Sequence, residues 1–251
     1  MKQRFYSLFE FFLLKHFPPH QIICVSDNIK SKFINYGVNP GILKVLTNAI
    51  SIIPKDNIKL YEMPEDIKPL VVNKRIISYI GRLSYEKGAD VLISAMKRLV
   101  IKQDDIFLIL AGDGPLMNQL KIFANSMGLK DKIYFAGYRN DAMNIMANSE
   151  IIIMPSRTEG LPISLLEAML LAKPVIASKV GGIPHVINHG ADGILVPSEN
   201  EIELSAAIFN LLQNEHLLRS IGICARKKII KEYDIMDRVA KLVQIIYKLS
   251  F

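Results

Sequence analysis

The sequence predicts an α/β protein built on a Rossmann-like, doubly wound parallel sheet, and three features predict it. Short apolar runs alternate with segments of helical period from Arg75 to Val196. The runs are continuously apolar rather than alternating with polar residues, as strands covered on both faces require. Glycine-rich and charged stretches follow directly after the runs, on the side where such sheets bind their ligands.

The amino terminus, MKQRFYSLFEFFLLKHF, superficially resembles an export signal. Glu10 and Lys15 interrupt its apolar run, and Pro18-Pro19 stands where a small-residue cleavage site is needed, so no export signal is read. No stretch reaches the roughly 20 apolar residues of a transmembrane helix. The aromatic face of this segment suits either a membrane surface or the flank of another domain. Next, IICVS from about Gln21 reads as a strand, Asp27–Tyr36 as a helix stopped by Gly37, and Val45–Ile50 as a second strand. Ser51 to about Lys74 is polar and marked by prolines, the composition of a linker.

Beyond it, strands are expected at Arg75–Ile80, Ile106–Ala111, Lys132–Ala136, Glu150–Met154, Pro174–Ser178 and Gly193–Val196. Helices are expected at Gly88–Lys102, Pro115–Met127, Asn140–Asn148 and Pro162–Ala172, and again from Glu201, the last running to about Ser250. The chain thus divides into the end of an N-terminal domain (1–50), a linker (51–74), a main domain (75–233) and a C-terminal helix (234–251).

Half of the 251 residues are hydrophobic, which argues against disorder. Cys24 and Cys224 read as buried thiols in a reducing compartment. A net charge of +7 favours anionic partners. No basic helix, RNA-binding aromatic motif or zinc module accompanies it, so nucleic acid is not an expected partner; an acidic small molecule or an anionic membrane surface is. His185 and His189 lack a third ligand and there is no D-x-D carboxylate pair, so no metal is assigned. GDGP (Gly112–Pro115) and Gly181-Gly182 read as tight turns and lack the G-x-G-x-x-G spacing of a nicotinamide-dinucleotide site.

The chemistry concentrates in SRTEGLPISLLEA (Ser156–Ala168). An apolar strand enters a turn at Gly160 and then a helix near Pro162. The first amides of that helix have no intrahelical partners and sit at the positive end of its dipole, a ready anion site. Glu159 and Glu167 bracket it with seven residues between them; two acceptor-only carboxylates so placed suit the hydroxyls of an elongated ligand. GRLSYEKG (Gly81–Gly88) puts Arg82 and Lys87 on one loop, cations suited to a diphosphate. Other readings stand beside these: solvated surface charges for Arg82 and Lys87, electrostatic support of the helix or a paired-carboxylate hydrolase for the glutamates, and backbone satisfaction for Ser164.

With these residues placed, the chain resembles the C-terminal, nucleotide-sugar-binding domain of the group 1 glycosyltransferases, retaining enzymes of the GT-B fold. The resemblance rests on IGRLSYEKGADVLISA, LILAGDGP, IYFAGY, IIIMPSRTEGLPISLLEAML, KPVIASKVGGIP and GILVP, in order from Ile76 to Pro197. It implies that Arg82 and Lys87 hold the donor diphosphate, that Glu167 binds the ribose hydroxyls, and that Glu159 contacts the sugar and helps place its anomeric carbon. Leu161 and Ile163 amides with Gly160 and Ser164 complete the cradle, and Tyr138-Arg139 lie beside the base.

The implied function is transfer of a hexosyl group from a UDP- or GDP-linked sugar to a glycan or lipid-linked acceptor. No cofactor or metal takes part, and the setting is cell-surface polysaccharide synthesis in the cytoplasm, at the inner face of the membrane. The resemblance also implies that most of an N-terminal acceptor domain is missing, which keeps two alternatives open: a truncated, non-catalytic binding module, or half of a split enzyme completed by a separate chain. A sugar-nucleotide epimerase is a third. Asn48-Ala49, where the family has a glycine after the asparagine, and His185, where it has an acid, depart from the pattern.

Overall fold

A computed structural model describes residues 19–58 and 60–247. The aromatic segment read at the amino terminus lies outside the described residues. So does the end of the last helix beyond Tyr247.

The chain begins with two parallel strands, β1 (Ile22–Cys24) and β2 (Leu43–Val45), joined through helix α1 (Asp27–Asn35). Ser26 caps α1 by accepting from the Ile29 amide, and Gly37 ends it at φ 85°. Cys24, Val38 and Leu43 form a small core of their own. The strand expected at Val45–Ile50 is corrected: pairing stops at Val45, and Ile50 forms only an isolated bridge to Asp234. Its apolar residues turn instead to side-chain packing, Ile50 against the helical layer of the main sheet.

Residues 51–74 differ from a free linker. Met63 and Ile67 are buried against Phe107 and Ile109 of the main sheet, and Asn144 and Asn148 side chains donate to the Glu62 and Tyr61 carbonyls. Polar composition hid two apolar anchors, which cover sheet surface that no long helix reaches.

The main sheet holds β3 (Arg75–Ile80), β4 (Ile106–Ala111), β5 (Ile133–Gly137), β6 (Ile151–Met154), β7 (Val175–Ser178) and β8 (Ile194–Val196), all pairs parallel. Their spatial order is β5-β4-β3-β6-β7-β8. The winding reverses between β3 and β6, the switch point at which such sheets open a crevice. Alternate residues serve opposite cores: Leu108, Leu110, Ile151 and Ile153 one, Phe107 and Ile109 or Ile152 and Met154 the other.

The first face is covered by α2 (Ala89–Lys102), α3 (Met117–Ser126) and α7 (Glu201–Leu212). The second is covered by α4 (Ala142–Ala147), α5 (Ile163–Leu170), α6 (Ile183–Val186) and α8 (Glu215–Glu232). Helix α9 (Ile235–Tyr247) follows, and its Lys241, Gln244 and Ile245 line a cleft with Val45 and Leu46, so the chain end returns to the first strands. The expectation of two buried thiols is half right: Cys24 is buried, whereas Cys224 is exposed on α8. Helical period places one face of α8 in solvent, and Cys224 falls on it.

Candidate functional site

The loops after β3 and β6 emerge side by side because those strands are neighbours at the switch point. After β3 the chain passes Gly81 and Arg82, buries Leu83, and makes a tight turn at Tyr85–Lys87 before α2 begins. Leu83 donates its amide to the Asp113 carbonyl at 2.9 Å, and Tyr79 donates its hydroxyl to the Arg82 carbonyl at 2.7 Å. Burial pushes the Tyr79 phenol up, so it stays a neutral donor. The backbone under Arg82 is therefore held while its guanidinium projects outward, with no ion pair among the described residues.

After β6 the chain runs Pro155–Pro162 into α5, whose first residue is Ile163. The Glu159 side chain is 6% exposed, and its Oε1 accepts from Lys87 Nζ at 2.6 Å and from Ser156 Oγ at 2.8 Å. The two residues expected to grip different parts of a ligand thus grip each other. Asn48 Nδ2 donates to the Leu161 carbonyl at 2.7 Å, and the Gly182 amide donates to the Gly160 carbonyl at 2.7 Å. These bonds fix the turn. The Ile163 and Ser164 amides, at the start of α5, donate to no backbone carbonyl among the described residues. Leu161 is buried, Ile163 is 45% exposed.

Glu167 lies one turn inside α5, half-buried, with no donor to its carboxylate among the described residues. Burial pushes its pKa up. An acceptor held in that condition is ready for hydroxyl donors from a ligand.

Two recesses meet at Ile80-Gly81. The smaller, about 30 Å³, is lined by Lys87, Ser156, Glu159 and Ser164. The larger, about 390 Å³, is lined by Arg82, Gly112, Asp113, Tyr138, Arg139 and Ala142. Tyr138 stands 77% exposed at its rim. The structure therefore gathers Arg82, Tyr138 and Arg139 at one recess and Lys87, Glu159 and Ser164 at the other.

Two glycine readings need correction. A Cβ on Gly112 would lie 1.8 Å from the Gly81 carbonyl oxygen, and one on Gly181, at φ 58°, 1.8 Å from the Glu159 carbonyl oxygen. These glycines do more than turn the chain: they let adjacent loops stack with no side chain between them.

Arg157 was missed by sequence reasoning. Its guanidinium donates to both Asp90 oxygens at 2.9 and 2.7 Å, to Glu199 at 2.8 Å and to the Tyr85 carbonyl at 2.7 Å, and lies 4.1 Å from the Tyr85 ring centroid. Its amide donates to the Glu86 carbonyl at 2.8 Å. One side chain thus ties the Lys87 loop to the Glu159 loop. Burial works against the ionised Asp90, but the bonds from Arg157 prevail and hold its carboxyl low. The signal was an arginine amid small turn residues, directly after a buried strand. The two histidines serve separate places: His189 Nδ1 accepts from the Leu195 amide, and His185 lines a cleft with Ser26, Thr47 and Tyr233. Among the described residues no three His, Cys, Asp or Glu side chains cluster for a metal. No described helix is long and apolar enough to cross a membrane.

Fold and site together define a wound α/β domain with a helix start whose first amides are unpaired at its switch point. The chain belongs to the glycosyl transferases group 1 family, whose model matches residues 63–228. An uncharacterized glycosyltransferase of Methanocaldococcus jannaschii is 28% identical over 92% of this chain and 60% of its own length. The UDP-Gal:alpha-D-GlcNAc-diphosphoundecaprenol alpha-1,3-galactosyltransferase of Escherichia coli is 28% identical over 88% of this chain and 58% of its own. Anabaena HepE, solved with UDP-glucose, superposes with a TM-score of 0.87 at 24% identity, covering 98% of this chain and 69% of that one. The likeness to HepE establishes the shared GT-B architecture. The chain spans about 60% of the length of the first of these relatives.

Proposed function

We propose that this chain binds a nucleotide-diphospho-sugar, UDP- or GDP-linked, and serves transfer of its hexosyl group to a glycan or lipid-linked acceptor with retention at the anomeric carbon. The meeting of Lys87 and Glu159 at 2.6 Å, beside the open amides of Ile163 and Ser164, carries the reading. A diphosphate entering there displaces Glu159 from Lys87. Lys87 and Arg82 then neutralise the phosphate oxygens, the α5 amides donate to them, and the released Glu159 takes a sugar hydroxyl. Glu167 accepts from the ribose hydroxyls. The nucleobase occupies the recess at Tyr138 and Arg139.

In the reaction, the bond between the anomeric carbon and the phosphate oxygen breaks as the acceptor oxygen bonds that carbon from the same face. The acceptor proton passes to the departing phosphate. Fixed cations and helix amides stabilise the charge that grows on the leaving diphosphate. The work takes place at the inner face of the membrane, where lipid-linked acceptors lie, in cell-surface polysaccharide synthesis; the names of the Escherichia coli galactosyltransferase and of the Erwinia amylovora amylovoran glycosyltransferase, 30% identical over 70% of this chain, support that setting.

Calorimetric titration with UDP-glucose, UDP-galactose and GDP-mannose tests the donor reading. Binding is expected, weakened at least about tenfold in Lys87→Ala and Glu167→Ala. Failure of every nucleotide sugar to bind at millimolar concentration overturns it. A second reading is a nucleotide-sugar-binding module or one half of a split enzyme. Binding without transfer when acceptor is supplied, together with co-purification of a second chain, identifies the split enzyme.

A further inference from the structure

Arg139 faces the larger recess, yet its charge is already spent within the protein. Nε and Nη2 donate to the two Asp141 oxygens, each at 2.7 Å. Nη1 and Nη2 donate to the two Asp66 oxygens at 2.7 and 3.1 Å. Tyr134 adds a long bond, 3.4 Å, from its hydroxyl to Asp66. A guanidinium has five N–H groups, so four commitments leave one, on Nη1. Two carboxylates against one cation make this wall net negative, a poor place for phosphate and a fair one for an uncharged polar ring.

Asp66 comes from the segment whose composition reads as linker. Buried Ile67 anchors it beside the recess, 73 positions from Arg139 in the chain. Bidentate pairing on two edges removes the rotamer freedom of the arginine, so its remaining N–H points in one fixed direction.

We propose that Asp66 is a positioning residue for nucleobase selection: with Asp141 it immobilises Arg139 so that the last Nη1 N–H meets a carbonyl oxygen on the base edge. Uracil and guanine present such an oxygen. Adenine presents an amino group at the matching place, which sets donor against donor. The recess therefore selects oxo bases. This inference rests on the donor-binding reading above and adds the basis of its base preference.

The test measures affinity for UDP, GDP, ADP and inorganic pyrophosphate by calorimetry, in the unaltered chain and in Asp66→Ala, Asp66→Glu and Arg139→Lys. The unaltered chain is expected to prefer UDP or GDP to ADP by about tenfold, the worth of one well-placed hydrogen bond. Asp66→Ala lowers that preference to within about threefold and leaves pyrophosphate affinity unchanged; Asp66→Glu restores most of the preference; Arg139→Lys loses it. Equal weakening of pyrophosphate and nucleotide, or an unaltered base preference in Asp66→Ala, overturns the proposal. So does an unaltered chain that binds UDP, GDP and ADP alike, which leaves the donor reading standing. A chain that binds pyrophosphate and nucleotides not at all overturns the donor reading itself.

Discussion

Lys87 Nζ and Glu159 Oε1 meet at 2.6 Å although 72 positions separate them in the chain. Neighbouring strands at the switch point bring them together, and Ser156 supplies a second donor to the same carboxylate oxygen. The pair fills the place where a phosphorylated ligand is proposed to enter. Lys87→Ala leaves a carboxylate 6% exposed without its cation, so stability should fall by about 1–3 kcal/mol. Glu159→Gln keeps the Ser156 bond and should cost less. Urea denaturation curves of the two variants decide the order; a more stable Lys87→Ala would show that the pair is weaker than its geometry.

Glu167 provides a pH signature. Its folded pKa is raised by burial, so it favours folding while protonated, and that contribution is lost as pH rises from the unfolded value near 4.3 through the folded one. Glu167→Gln should therefore be more stable than the unaltered chain at pH 7, and the gain should vanish near pH 4. The same substitution should weaken nucleotide-sugar binding. Thermal unfolding at the two pH values, with calorimetry at pH 7, separates stability from function.

Arg157 should matter more than its distance from either recess suggests. Its side chain is 12% exposed and serves Asp90, Glu199 and the Tyr85 carbonyl at once. Arg157→Ala should cost about 2–4 kcal/mol and weaken diphosphate binding by loosening the Lys87 loop. Arg157→Lys should rescue little, because an ammonium cannot span those acceptors. The Asp90 carboxyl is held low in the folded state, so its contribution is present above the unfolded value near 3.9 and lost as pH falls through the folded one. In Arg157→Ala the acid limb of the stability curve should flatten.

Gly181 and Gly137 form a controlled comparison. Both have positive φ, 58° and 68°. A Cβ at Gly181 would strike the Glu159 carbonyl oxygen at 1.8 Å, whereas at Gly137 it would find nothing within 4 Å. Gly137→Ala should cost about 1 kcal/mol, the backbone penalty alone. Gly181→Ala should cost more than about 2 kcal/mol and displace Glu159, with loss of donor binding. Melting temperatures and titrations of the two variants check this, equal costs being the contrary result.

The alternation of apolar runs and helical period in the sequence set the parallel sheet and placed the elements of the main domain to within about two residues at each end. Arg75–Ile80 and Ile106–Ala111 are the same in both. Local chemistry suffices there, because a strand covered on both faces must be apolar throughout and a helix must bury one stripe. The motif at Ser156–Ala168 likewise showed where α5 starts, and a helix start carries its own unpaired donors wherever it lies. Tertiary structure alone decided what crosses between loops. Val45–Ile50 looked like a strand, but its ladder stops at Val45 and only the isolated bridge from Ile50 to Asp234 follows. Asp66 looked like linker, Arg157 drew no reading of its own and Gly181 looked like a turn. Each acts on a partner 42 or more positions away or on a facing backbone, and long-range pairing of charges and close backbone approach leave no periodic trace in a sequence. The chain's order of residues names the strands; only the winding of the sheet determines which loops become neighbours at its switch point.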